Sequence, residues 1–123
     1  MAKNILIVDD SESIRELVGS TLEDAGYSVT RGVNGQDGLE QLEGIKEGVN
    51  LIITDLNMPV MDGIQLVKEV RKMEKHKFLP IIILTTETQI LKKNEAKEVG
   101  ATGWIVKPFE KDRLLAVVKK VIR

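Results

Sequence analysis

The sequence predicts an α/β fold: a doubly wound sheet of five parallel strands with five helical segments covering its two faces. Three observations carry that expectation. Short runs rich in β-branched residues alternate with longer segments of helical period, the pattern of repeated strand–helix–strand units. Three of the runs, Ile5–Val8, Leu51–Thr54 and Pro80–Leu84, are apolar without alternation, as strands covered on both faces must be. The connections are short, with no linker, repeat or low-complexity tract, so right-handed crossovers wind the chain around one sheet.

The first strand, Ile5–Val8, leads into a helix whose Ile14, Leu17, Val18, Thr21, Leu22 and Ala25 fall on one face at helical spacing. Gly26 ends that helix. The second strand, Tyr27–Thr30, mixes polar and apolar side chains and suits a sheet edge. After the turn pair Asn34-Gly35, a helix from about Gln36 turns Leu39, Leu42 and Ile45 inward. The third strand, Leu51–Thr54, runs into a loop marked by Pro59 and Asp62-Gly63, and the next helix buries Ile64, Val67, Val70 and Met73. Beyond the fourth strand, Pro80–Leu84, the segment Thr88–Val99 carries only a thin apolar stripe of Ile90, Leu91, Ala96 and Val99 among Lys92, Lys93, Glu95, Lys97 and Glu98. A helix so thinly anchored is a candidate for movement. The fifth strand, Gly103–Val106, is short and suits the other edge, and the last helix turns Leu114, Val117, Val118, Val121 and Ile122 inward. The first, third and fourth strands are expected at the centre.

At 123 residues the chain is read as a single domain, 1–123, without a separate effector domain. Its 42% hydrophobic and 30% charged residues exclude disorder over most of its length. With no cysteine, a disulfide framework, a thiolate metal site and a thiol nucleophile are all excluded. The N-terminal apolar run is too short for a signal-peptide core, and no stretch approaches the ~20 residues that span a bilayer, so a cytoplasmic protein without membrane insertion is expected. A net charge of −1 argues against nucleic-acid binding by bulk electrostatics. The charge is unevenly spread: residues 1–62 hold 12 acids and 4 bases, residues 63–123 hold 7 acids and 14 bases. An acidic pocket suited to a cation is consistent with that split.

Ligands of such sheets bind beyond the carboxyl ends of the strands. The first strand delivers Asp9 and Asp10 there, the third Asp55, the fourth Thr85 and Thr86, the fifth Lys107. One acid at a strand end reads most simply as a helix cap. Three at one edge repel, and a hard divalent cation relieves them. Magnesium suits the set best, because it takes a few oxygens, keeps waters and shares positions with a phosphate, whereas calcium wants a dedicated loop that the sequence lacks. Lys107 is placed to neutralise a carboxylate or meet a phosphoryl oxygen. Asp55, between a buried strand and the loop Leu56-Asn57-Met58-Pro59, is the candidate nucleophile for an aspartyl phosphate.

Ile-Val-Asp9-Asp10, Asp55-Leu-Asn57-Met-Pro59, Met61-Asp62-Gly63, Leu-Thr85-Thr86-Glu87 and Lys107-Pro108-Phe109, in that order and spacing, resemble the motif set of response-regulator receiver domains over the whole chain. The likeness is greatest to single-domain, chemotaxis-type CheY regulators. It implies a flavodoxin-like (βα)5 sheet in strand order 2-1-3-4-5, and a stand-alone switch of a two-component system in which Asp55 accepts a phosphoryl group from a histidine kinase or phosphotransfer protein. It further implies magnesium on Asp10, Asp55 and the Asn57 carbonyl, with Asp9 reaching it through water. Thr85 and Lys107 would bind phosphoryl oxygens, and the Lys107-Pro108 bond is often cis in such domains. An output protein would bind near Thr88–Val99, Trp104 and the last helix, and the protein would act as a monomer with only slow chemistry of its own.

Two positions depart from the family's habit. Trp104 stands where a smaller aromatic often rotates inward as Thr85 moves, and Thr86 stands where a small residue is frequent. Other readings compete. A relay intermediate or a phosphate sink uses the same chemistry. An aspartate-nucleophile phosphatase of the haloacid-dehalogenase type wants an aspartate at position 57, which is Asn. A flavodoxin-type cofactor carrier wants a Ser/Thr-rich phosphate loop after the first strand, which is missing. His76, the sole histidine, reads as a solvated loop residue, so the donor phosphohistidine comes from another protein, and Met58 and Met61 read as packing residues.

Overall fold

Five parallel strands form one sheet in the order β2-β1-β3-β4-β5 in the computed structural model, which describes residues 2–86 and 93–122. The elements are β1 (Asn4–Val8), α1 (Glu12–Asp24), β2 (Ser28–Gly32), α2 (Gly35–Gly44), β3 (Leu51–Asp55), α3 (Gly63–Arg71), a 3-10 turn (Glu74–His76), β4 (Ile81–Thr86), α4 (Lys93–Val99), β5 (Gly103–Lys107) and α5 (Lys111–Val121). β1, β3 and β4 are central and almost wholly buried, and the two mixed-polarity strands are the edges, as their compositions require.

Alternate side chains of each strand feed two cores. Leu6, Ile52, Ile81 and Ile83 meet Leu39, Val67, Val70 and Ala96 of α2, α3 and α4 on one face. Ile7, Ile53, Ile82 and Ile105 meet Val18, Leu22, Leu114 and Val118 of α1 and α5 on the other. Each such aliphatic side chain, fully buried, contributes about 1.5–3 kcal/mol over its exposed state.

α1 presents a narrower face than its spacing predicts. Val18, Thr21 and Leu22 are buried, but Leu17 is 41% exposed and Ala25 is an exposed C-cap. On the other flank of the helix, a Cβ on Gly19 would strike the Arg31 guanidinium of β2. Arg31 lies along the helix and binds Glu16 (3.1 Å) and Glu23 (2.9 Å), so part of the helix flank is an ionic seam. Only Lys93–Val99 of the expected Thr88–Val99 helix is described, with Ala96 as its one buried residue there; Thr88 to Lys92 lie outside the described residues. Its carboxyl end is clamped by Arg71 of α3, whose Nε and Nη2 donate to the Gly100 carbonyl (3.1 and 2.7 Å) and whose Nη1 donates to the His76 carbonyl (2.9 Å). Burial lowers the Arg71 pKa from its usual value.

Candidate functional site

Parallel register brings the strand ends to one edge. Asp55 pairs with Leu84, Thr85 with Val106 and Thr86 with Lys107, so the residues that end β3, β4 and β5 stand side by side. β1 adds Asp9 one residue past its last paired position, where the Asp9 N–H donates to the Gly32 carbonyl (3.1 Å).

Three carboxyl groups gather there: oxygens of Asp9, Asp10 and Asp55 lie within 4.8 Å of one another. Asp9 is fully buried and Asp10 exposed, because successive side chains leave the strand in opposite directions. Asp9 Oδ1 accepts from the Ser11 N–H (2.9 Å), so the capping role foreseen for a strand-end acid takes one of its two oxygens. Ser11 itself is the N-cap of α1, accepting from the Ile14 N–H. Asp9 Oδ2 has no hydrogen bond, and the Lys107 ammonium lies 3.5 Å away. Burial, above all, raises the Asp9 pKa; the Ser11 N–H and Lys107 pull it down, while Asp55 and Asp10 push it up.

Asp55 is 9% exposed. Its Oδ1 accepts from Lys107 Nζ (3.0 Å) and from the Leu56 N–H (2.9 Å). Both bonds fall on one oxygen, Oδ1. Lys107, only 18% exposed at its side chain, thus bridges Asp55 and Asp9, and the Lys107–Pro108 peptide is cis. The Thr85 hydroxyl donates to the Thr86 carbonyl (3.2 Å) at the neighbouring strand end. Asn57 is exposed and lines a shallow pocket with Asp10, Met58, Pro59 and Asp62.

The donors around this pocket are all hard oxygens, an arrangement that suits a small divalent cation. The buried Asp9 Oδ2 makes the same point: it has an ion-pair partner in Lys107 at 3.5 Å but no hydrogen bond, a desolvation cost that a cation would help recover.

Three contributors were not foreseen. The Leu56 N–H that fixes Asp55 leaves no trace in side-chain identity. Gly63 was read as half of an Asp-Gly turn and as part of the Met61-Asp62-Gly63 motif, with no packing role; in the fold Asp62 caps α3 through the Gln65 N–H (2.8 Å), and a Cβ on Gly63 would strike the Asp55 carbonyl oxygen. Lys93 was one lysine of a solvated stripe, yet its ammonium stands 3.9 Å from the centre of the Trp104 ring. Trp104 is half-buried, pairs with Ile83 in register and packs on the core beneath α4. Met58 and Met61 pack against the same core, as expected. His76 precedes β4, at the opposite edge of the sheet from the acids, and burial and Lys75 lower its pKa.

Comparison with known proteins points the same way as this geometry. The pattern of the response regulator receiver domain matches residues 5–119. The chemotaxis protein CheY-3 of Vibrio cholerae is 39% identical over 118 residues, covering 95% of this chain and 89% of that protein. The sensor histidine kinase CheAY of Helicobacter pylori is 34% identical over 119 residues, 97% of this chain and 15% of that protein. Among solved structures, the chemotaxis response regulator CheY4 of Vibrio cholerae superposes with a TM-score of 0.93 at 47% identity over 99% of this chain and 100% of that one. A putative response regulator from Chloroflexus aurantiacus gives 0.92 at 35% identity, covering 98% of each chain.

Proposed function

Because the chain belongs to the response regulator receiver domains of two-component signalling, we propose that Asp55 is its phosphoryl acceptor and that the acids around it hold magnesium. The observation that carries this reading is the division of labour on Asp55: Oδ1 is held by Lys107 and the Leu56 N–H, and Oδ2 is left to attack. In the reaction Oδ2 forms a bond to the phosphorus of a partner's phosphohistidine as the P–N bond breaks, and the imidazole leaves with that electron pair and takes up a proton. Lys107 meets the negative charge that spreads over the phosphoryl oxygens, and Thr85, at the adjacent strand end, donates its hydroxyl to another of them. Asp10, Asp55 and the Asn57 carbonyl would hold magnesium, with Asp9 reaching it through water, and the ion would neutralise the crowded carboxylates and the incoming oxygens.

Nothing among the described residues is placed as a general base toward water beside Asp55, so self-dephosphorylation is slow and the protein works as a switch rather than as a turnover enzyme. The similarity to stand-alone chemotaxis regulators supports a stand-alone cytoplasmic regulator of motility, monomeric, with an output protein bound around α4, Trp104 and α5. No described helix is long and apolar enough to cross a membrane. Relay and sink roles share the chemistry and differ only in who receives the phosphoryl group.

The test is mass spectrometry after acetyl phosphate with magnesium. A single phosphoryl adduct is expected, absent with EDTA and absent in Asp55→Asn. An adduct of wild-type yield in that variant would overturn the assignment.

A further inference from the structure

In the described part of α4, Ala96 is the one buried side chain and Val99 packs partly buried against the core. Two polar contacts add to that packing. Arg71 grips the Gly100 carbonyl just past its carboxyl end, and at its amino end the Lys93 ammonium stands over the Trp104 ring, 3.9 Å from the centroid. That distance is well within the range in which the negative face of an indole attracts a cation. Trp104 is joined through the β4–β5 ladder to Ile83, two residues before Thr85, and its own strand ends at Lys107, which holds Asp55.

We propose that Lys93 is a positioning residue: its ammonium fixes the Trp104 indole beneath α4 and so opposes any rearrangement of β5 that accompanies occupation of the Asp55 pocket. This bias rests on the reading of Asp55 given above; the positioning of the indole does not. A ligand shifts an equilibrium only by its differential contacts, and a contact made in one arrangement and lost in the other acts with the opposite sign. At a partly exposed site the contact corresponds to roughly a 2- to 5-fold shift in the equilibrium. Replacing Lys93 with an uncharged side chain of similar length therefore releases the indole and favours the loaded state by that factor.

Trp104 is the only tryptophan, so its emission reports the surroundings of this one ring. The experiment compares quenching by iodide and by caesium in wild type, Lys93→Met and Lys93→Arg, without and with beryllofluoride and magnesium, with beryllofluoride affinity measured by calorimetry. A cation against the ring favours iodide over caesium, so the iodide-to-caesium ratio is expected to fall about twofold or more in Lys93→Met and to stay at the wild-type value in Lys93→Arg. Beryllofluoride affinity is expected to rise roughly 2- to 5-fold in Lys93→Met and not in Lys93→Arg. An unchanged ratio in Lys93→Met overturns the positioning role. A fallen ratio with unchanged affinity overturns the bias on the pocket. Absence of beryllofluoride binding in wild type would instead count against the Asp55 reading, and the quenching ratio would still decide the role of Lys93.

Discussion

Replacing Gly63 with alanine should damage both the fold and the acceptor site. Gly63 opens α3 where the chain returns against the end of β3, and its N–H donates to the Leu56 carbonyl (2.8 Å). A Cβ there would collide with the Asp55 carbonyl oxygen and crowd Leu56 Cα (3.1 Å) and the Asp55 carbonyl carbon (3.3 Å). All three obstacles are backbone atoms, so no rotamer change clears the space, and α3 or the end of β3 must shift. Overpacking of that kind costs about 1–3 kcal/mol. A strained Gly63–Leu56 bond adds about 1 kcal/mol, and the better helix propensity of alanine returns up to about 1 kcal/mol, for a net loss near 2 kcal/mol. Gly44 is the control, because a Cβ there meets nothing within 4 Å and the residue closes α2, so Gly44→Ala should be neutral or gain up to about 0.5 kcal/mol. With urea m-values of roughly 1–3 kcal/mol/M, the Gly63→Ala midpoint should fall by about 1 M and the Gly44→Ala midpoint should hold or rise slightly. Because the forced shift carries Asp55, phosphoryl uptake from acetyl phosphate should slow in Gly63→Ala and hold in Gly44→Ala. A Gly63→Ala midpoint at or above wild type, with normal uptake, would refute the packing argument.

Magnesium should stabilise the native chain by RT ln(1 + [L]/Kd), about 1.4 kcal/mol near ten times Kd, and Asp10→Asn should shrink that gain in urea titrations run with magnesium and with EDTA. The raised Asp9 pKa means that the native state holds its proton more tightly than the unfolded chain, whose value is near 3.8. Asp9 therefore lowers stability as pH rises through the window from 3.8 up to its native value. In EDTA the stability advantage of Asp9→Asn over wild type should accordingly grow from pH 4 toward neutrality, as paired urea midpoints would measure. Arg71→Ala strands the Gly100 and His76 carbonyls, so a loss of about 1–3 kcal/mol is expected, with amide exchange in α4 accelerated more than in α1.

The sheet was legible because β1, β3 and β4 are apolar on both faces, a pattern that only helix-covered central strands satisfy. The acidic pocket was legible for a related reason: a parallel sheet delivers every strand's carboxyl end to one edge, so Asp9, Asp10, Asp55 and Lys107 meet there however far apart they lie in sequence. What escaped was decided by atoms rather than residue types. Asp9 and Asp10 are neighbours of one kind, yet one is buried with an oxygen that lacks a hydrogen bond and the other is exposed. Leu17 sits at core spacing yet is exposed, and Arg31 crosses Gly19, a contact between residues 12 apart in sequence on different elements. The pairing of Lys93 with Trp104 has no local signal, because a lysine in a charged stripe reads the same whether its ammonium meets water or an indole.

The most direct test of the account supplies the phosphoryl group from its biological class of donor. A phosphohistidine-bearing kinase or phosphotransfer domain carrying radiolabelled phosphate would be mixed with the chain in magnesium and in EDTA, and the labelled residue mapped by peptide analysis. Transfer is expected in magnesium only, with the label on Asp55, lost in Asp55→Asn and strongly slowed in Lys107→Ala. Label on any other residue, or transfer of equal rate and extent in EDTA, would contradict it.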